Sequence, residues 1–267
     1  MKLIYTWWAW LFGRPSFVKL NKLMFNLSIR GLGVYNYENI SISGEKWLIQ
    51  NKVKNLGKNI VIFDVGAHTG GYAKCLIDEG VDARRIYCFE PNPKTFKKLN
   101  KNTMGVGNIV QVESALSDLR GEIVLYDRGD QGSSEHASLS EAIFSEVHKV
   151  SSTKENVKVD TLDFYCENYG IETIDFLKID VEGFELNVLK GGARMLKYKK
   201  IGMIQFEFTQ INSTVGVFFK QFFDLLSNDF YLYRLLPNGL QAIEAYEPTN
   251  CEIFGYQNYV AILKSGK

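Results

Sequence analysis

Cysteine is scarce in this sequence. The 267 residues include only Cys75, Cys88, Cys166 and Cys251, with no C-x-x-C pair and no histidine at zinc-ligand spacing. That excludes a disulfide framework and a cysteine zinc site, and a reducing, cytoplasmic setting is expected. Net charge is almost absent: 31 Lys and Arg stand against 30 Asp and Glu. No global field draws the chain to nucleic acid or acidic lipid, so nucleic acid is not an expected partner and any basic patch must be local. Low-complexity tracts, internal repeats and strongly polar stretches are missing too. With 46% apolar and 13% aromatic residues the chain reads as ordered and globular, long enough for one large α/β domain with an appendage and tight for two.

Residues 1–13, "MKLIYTWWAWLFG", form an apolar run with three tryptophans within four residues. The run is too short to span a bilayer, which takes roughly 20 apolar residues. A lone Lys2 ahead of it and no small-x-small site after it speak against a signal peptide. Two readings stay open: an arm packed on the body or on a second subunit, or an interfacial foot with Trp at the headgroup level, which would make the protein membrane-associated. After Pro15, Ser16 is expected to cap a helix that keeps Phe17, Leu20, Leu23, Met24 and Leu27 on one face and stops at Gly31. A second helix is expected from Glu45 to about Leu56, ended by Gly57. Residues 1–57 are thus an amino-terminal helical extension.

From residue 59 strands and helices alternate, the pattern of a mostly parallel sheet with helices on both faces. Strands are expected at 59–65, 85–90, 108–114, 174–180 and 201–208. Helices are expected near Thr69, around Phe96 and Leu99, around Leu186 and Leu189, and around Phe218, Phe222 and Leu225. "FYLYRLL", "LQAI" and "NYVAILK" suggest antiparallel pairing at one sheet edge. Residues 58–267 form this second domain, with an insertion at about 120–165 made of hairpin strands and a polar stretch suited to gripping a substrate.

In an open parallel sheet, ligands bind beyond the carboxyl ends of the strands. Five successive strand tips here end in an acid: Asp64, Glu90, Glu113, Asp180 and Glu207. The turn after the first strand, "DVGAHTG", fails the dinucleotide fingerprint, because His68 stands where the second glycine would be. It fits D-x-G-x-x-x-G instead, with Asp64, Gly66 and Gly70 in place. An acid at the head of such a turn repels phosphate and attracts an ammonium, and S-adenosylmethionine offers an ammonium, a sulfonium and a ribose without a phosphate. Asp64 would meet the amino group, Gly66 would allow close approach, Glu90 would accept from the ribose hydroxyls, and Thr69 would open a helix whose free N–H groups face the donor's carboxylate.

The blocks "IFDVGAHTGGYA", "CFEPNP", "ALSDLRGEIVLY", "VDTLDFY", "FLKIDVEGFELNVLKGG" and "IQFEF" occur in that order and resemble the FkbM-type methyltransferase family over about residues 58–210. Family members often carry Asn where this chain has His68. The resemblance implies a class I, Rossmann-like S-adenosylmethionine-dependent O-methyltransferase acting on hydroxyls of sugars or secondary metabolites. It implies a donor site at Asp64, Gly66, His68, Thr69, Gly70, Glu90, Ser114 and Ala115, and a hydroxylated, sugar-type acceptor.

A hydroxyl is a weak nucleophile, so a base is needed. Asp180 leads, Glu182 and Glu207 follow, and His136 and His148 are alternatives, while His68 could position a water or the donor's carboxylate. A Mg²⁺ held by strand-tip acids is a variant of the same reaction. Tyr72, Phe184, Phe208 and Tyr246 are candidate platforms for a sugar face, against ordinary core roles. A nucleotide-dependent oxidoreductase and a non-catalytic adenosyl-binding protein are the competing classes.

Overall fold

The computed structural model describes residues 2–128 and 152–264. The strands are β1 (Ile60–Val65), β2 (Ala83–Phe89), β3 (Ile109–Val112), β4 (Ala115–Leu116), β5 (Gly121–Arg128), β6 (Ser152–Asp160), β7 (Ile174–Ile179), β8 (Ile201–Phe208), β9 (Phe230–Leu236), β10 (Gly239–Ala242) and β11 (Gln257–Leu263). Eight of them form one sheet in the order β10-β9-β11-β8-β7-β1-β2-β3. The neighbours from β8 through β7, β1 and β2 to β3 pair in parallel. This is the expected class I methyltransferase architecture, mostly parallel with an antiparallel edge.

Two details differ from the sequence reading. The β9–β10 hairpin does close the edge, but β11 lies inside the sheet, antiparallel to both β8 and β9. Its residues 257–261 are all buried, as a strand covered on both faces requires. The insertion's β5 and β6, the long antiparallel pair expected as a hairpin, join β4 ahead of it in a second, three-stranded sheet of order β4-β6-β5. The polar stretch 129–142, His136 and His148 fall outside the described residues.

Every residue of β1 is buried because helices cover both faces. On one face Phe63, Phe206, Phe208 and Tyr259 pack with the helices Leu162–Asn168, Glu185–Gly191 and Phe219–Leu226. Phe206 and Phe222 stack with centroids 4.6 Å apart. On the other, Ile62, Phe176 and Met203 meet Leu76 and Leu99 from helices Gly71–Asp78 and Pro93–Thr103, and Leu48 and Ile49 from helix Glu45–Asn51. The helix expected over 45–56 is α-helical only to Asn51 and then tightens to a 3₁₀ turn, Val53–Asn55, that buries Val53.

The amino terminus forms two helices, Lys2–Phe12 and Val18–Gly31. Ser16 does not cap the second. Pro15 opens a 3₁₀ turn ahead of it, so Ser16 lies inside that turn and Phe17 takes the cap position with no side-chain bond. Nor does the first helix pack on the body as an arm, since none of its residues is buried.

Candidate active site

The chain runs outward from β1 through β2 and β3, then returns to place β7 on the other side of β1. Open α/β sheets bind ligands in the crevice that such a reversal leaves beyond the strand ends. Here the turn after β1 and Asp180 after β7 border it. Gly66 has φ +83°, and a Cβ there would lie 1.7 Å from the Asp180 carbonyl oxygen. The Asp180 N–H donates to the Val65 carbonyl at 2.9 Å, locking the two strand ends together. Glycine is therefore demanded at 66 by the neighbouring backbone. Gly70, at φ +87°, leads into helix Gly71–Asp78, two residues later than the start expected at Thr69. His68 sits at φ +50°. That left-handed conformation is one Asn and His adopt far more readily than most residues, which gives a physical reason for either side chain there.

Glu90 is held at the tip of β2 by two backbone donors. His68 N–H donates to one carboxylate oxygen at 3.0 Å and Asn92 N–H to the other at 2.8 Å. The Thr69 carbonyl accepts from Asn102 at 2.9 Å. Ser114 and Ala115 serve the junction with the small sheet: the Ser114 hydroxyl bonds the Ala115 carbonyl at 2.9 Å, and Ala115 pairs with Val159. Glu113 is exposed. Tyr72 and Phe208 are core residues, so neither can serve as a sugar platform.

Beneath the crevice a single buried cation faces several carboxylates. Lys178 Nζ lies 3.0 Å from Asp180 Oδ2, 3.7 Å from Asp64 Oδ1 and 5.0 Å from the centre of the Tyr72 ring. Strand register puts them there, pairing Asp64 with Lys178 and Lys178 with Gln205. The Tyr72 hydroxyl donates to Gln205 at 2.8 Å, and the Gln205 amide donates to Glu45 at 2.9 Å and to Asn258 at 3.1 Å. Asp64 is fully buried, and neither of its oxygens accepts a hydrogen bond. Burial works against the Lys178 charge, but Asp180, Asp64 and Glu45 together outweigh it and push its pKa up. Three carboxylates share that one ammonium, and burial pushes the Asp64 carboxyl up to about 6. Burial raises Glu45 as well.

Two further acids complete the cluster. Glu185 is buried, and its Oε1 accepts from the Val181 and Gly183 N–H groups, each at 3.1 Å. It thereby closes the turn in which Glu182 sits at φ +53°. Burial pushes Glu185 up to about 7. Burial, then the charges of Asp180, Glu182 and Glu185, raise Glu207 well above the ordinary carboxylate range. Among the described residues, no three His, Cys, Asp or Glu side chains are arranged to hold a metal ion. Sequence reasoning missed Lys178, Glu45 and Glu185. The available signal was a lysine inside "FLKID", a run otherwise fit for burial on both faces.

Comparison with known proteins bears on this crevice. The chain is 28% identical over 143 residues to the 2-O-methyltransferase NoeI of Sinorhizobium fredii, covering 51% of this chain and 58% of that protein. It is 29% identical over 159 residues to the hexuronic acid methyltransferase AglP of Haloferax volcanii, covering 58% of this chain and 59% of that one. A solved structure of an FkbM methyltransferase from Methylobacillus flagellatus aligns with a TM-score of 0.45 at 14% identity, over 76% of this chain and 43% of that chain. Each match takes in less than two thirds of the relative's length. The model of the methyltransferase FkbM domain matches residues 64–235, from the acid of the first turn into β9, and the chain belongs to that family.

Proposed function

We propose that the protein transfers a methyl group from S-adenosylmethionine to a hydroxyl of a sugar or sugar acid. One observation carries the reading: at the crevice where the strand order reverses, one buried lysine faces a surplus of carboxylates. Such a cluster repels a pyrophosphate and accepts a cationic ligand, whose charge offsets the excess. The names of the two relatives, a 2-O-methyltransferase and a hexuronic acid methyltransferase, support a sugar-type acceptor.

When bound, the donor supplies an electrophilic methyl group on a sulfonium. The residues of this chain do the rest. Asp64, buried under the turn without a hydrogen bond, provides negative charge for the donor's ammonium. Glu90, fixed by the His68 and Asn92 N–H groups, presents a carboxylate to the ribose hydroxyls. The first N–H groups of helix Gly71–Asp78 would hold the donor's carboxylate. Of the three acids among the candidate bases, Asp180 is engaged by Lys178 at 3.0 Å, whereas the surroundings of Glu207 raise its proton affinity. Glu207, once ionised, is therefore the stronger base for the acceptor hydroxyl, and Asp180 keeps Lys178 in place. Glu182 adds its charge to that effect on Glu207.

The test has two arms. Calorimetry with S-adenosylhomocysteine and with NAD should give binding to the first alone. Incubation with a deuteromethyl donor and a panel of hexoses and uronic acids should then give labelled methyl ethers by mass spectrometry. Binding of NAD in place of S-adenosylhomocysteine would overturn the donor, and donor binding without transfer to any hydroxyl would leave an adenosyl-binding protein.

A further inference from the structure

The amino-terminal helices have no place in that reaction, and their chemistry is unlike the rest of the chain. Helix Val18–Gly31 buries only Ile29. Leu20, Leu23, Met24 and Leu27, at the spacing of a packing face, are instead exposed, Leu23 at 56% and Leu27 at 63%. Helix Lys2–Phe12 buries nothing and exposes Trp7 at 62% and Trp10 at 65%. At about 1.5 Å per residue it is roughly 16 Å long, half the hydrocarbon thickness of a bilayer. Among the described residues no helix is long and apolar enough to cross a membrane.

Charge singles out what covers this surface. Five basic residues, Lys2, Arg14, Lys19, Lys22 and Arg30, precede the first acid, Glu38, so the segment's surplus exceeds the +1 of the whole chain. Arg30 pairs with Glu38, Arg14 lies 5.6 Å from the Trp10 ring centre, and Lys19 and Lys22 flank the apolar stripe. Bringing two copies together through these faces would oppose like charges with no acid between them. An anionic surface with an apolar interior satisfies both the cations and the exposed aliphatic and indole groups.

The foot is also anchored firmly. A Cβ at Gly33 would meet the Leu235 carbonyl oxygen at 2.5 Å, and one at Gly44 would meet that of Leu236 at 2.3 Å. The Tyr35 N–H donates to the Tyr256 carbonyl at 2.7 Å. The segment between foot and sheet is thus seated on the end of β9 and on the residue that leads into β11.

We propose that residues 2–31 dock the protein on an anionic lipid bilayer, with the tryptophans at headgroup depth and Lys19 and Lys22 on the lipid charges. The test is co-sedimentation of the full chain with phosphatidylcholine vesicles, with and without phosphatidylglycerol. Partitioning should require phosphatidylglycerol, weaken as salt is raised, and fall about tenfold or more both in Trp7→Ser/Trp8→Ser/Trp10→Ser and in Lys19→Glu/Lys22→Glu. Brominated lipid should quench the emission of the wild type and spare that of the triple variant, whose remaining tryptophan is Trp47. Circular dichroism and thermal unfolding check that each variant folds. If the triple variant does not, the lysine variant and the salt series decide. No partitioning at low salt, or partitioning indifferent to both variants, overturns the proposal. So does a dimer in light scattering that dissolves with the tryptophan substitutions, because a second copy would then cover the face.

Discussion

Asp64→Asn should stabilise the free protein at neutral pH while weakening donor binding. The fold holds Asp64 with its pKa raised from 3.8 to about 6. The folded state therefore binds the Asp64 proton more tightly than the unfolded state does. Its contribution to stability is fully present below the unfolded value and is lost as pH rises through about 6. The full shift of about two units corresponds to roughly 3 kcal/mol, and roughly 1.4 kcal/mol of it falls between about pH 5 and about pH 8. For a chain of this length that is a Tm difference of roughly 3–6 °C. Burial raises Glu45, Glu185 and Glu207 in the same direction, so the wild type should lose stability across this window by more than the Asp64 share. Denaturant unfolding of both proteins across that window isolates the share: the curve of the Asp64→Asn variant should fall less steeply, by about 1.4 kcal/mol over the window. Calorimetry with S-adenosylhomocysteine should at the same time give a Kd weakened about tenfold or more, and proton release on binding, read from buffers of different ionisation enthalpy, should shrink. Parallel pH–stability curves for the two proteins would refute the claim that Asp64 is a buried, under-compensated charge.

Glu90→Gln keeps the size of the side chain but puts an amide nitrogen where one oxygen accepts from the His68 or Asn92 N–H; it should weaken S-adenosylhomocysteine binding by about tenfold to a hundredfold in calorimetry and lower stability by about 1–3 kcal/mol in denaturant unfolding. Gly66→Ala should destabilise by at least about 3 kcal/mol in denaturant unfolding, because its Cβ would sit 1.7 Å from the Asp180 carbonyl oxygen at a positive φ. In the wild type, kcat/KM should rise with pH along a limb set above the ordinary carboxylate range by Glu207. Glu207→Gln should lower the rate and remove that limb while leaving donor affinity nearly unchanged.

The central strands were legible because burial on both faces leaves an unbroken apolar run. "IVIFDV" and "IGMIQFEF" carry that signature and form strands Ile60–Val65 and Ile201–Phe208. The acids at strand tips were legible as a row because each interrupts such a run at its end. The pairing of β4 with β6 was not, since a two-residue strand has no periodicity and exists only because Val159 and Asp160 lie beside it. The interior place of β11 depends on which neighbours the sheet has left unpaired, information that no local window holds.

The charge cluster escaped for a related reason. Period two puts Lys178 and Asp180 on one face of β7, but the partner strand decides whether that lysine meets Asp64 or solvent, and register is set by packing along the whole strand. Helix Val18–Gly31 makes the opposite case. Its stripe of Leu20, Leu23, Met24 and Leu27 has the spacing of a core face, yet these residues are exposed. Periodicity reports that a face seeks an apolar contact, not which body supplies it. In the docking proposed above, the run of basic residues ahead of Glu38 is what assigns that contact to an anionic bilayer, because a second copy of the same face would oppose like charges.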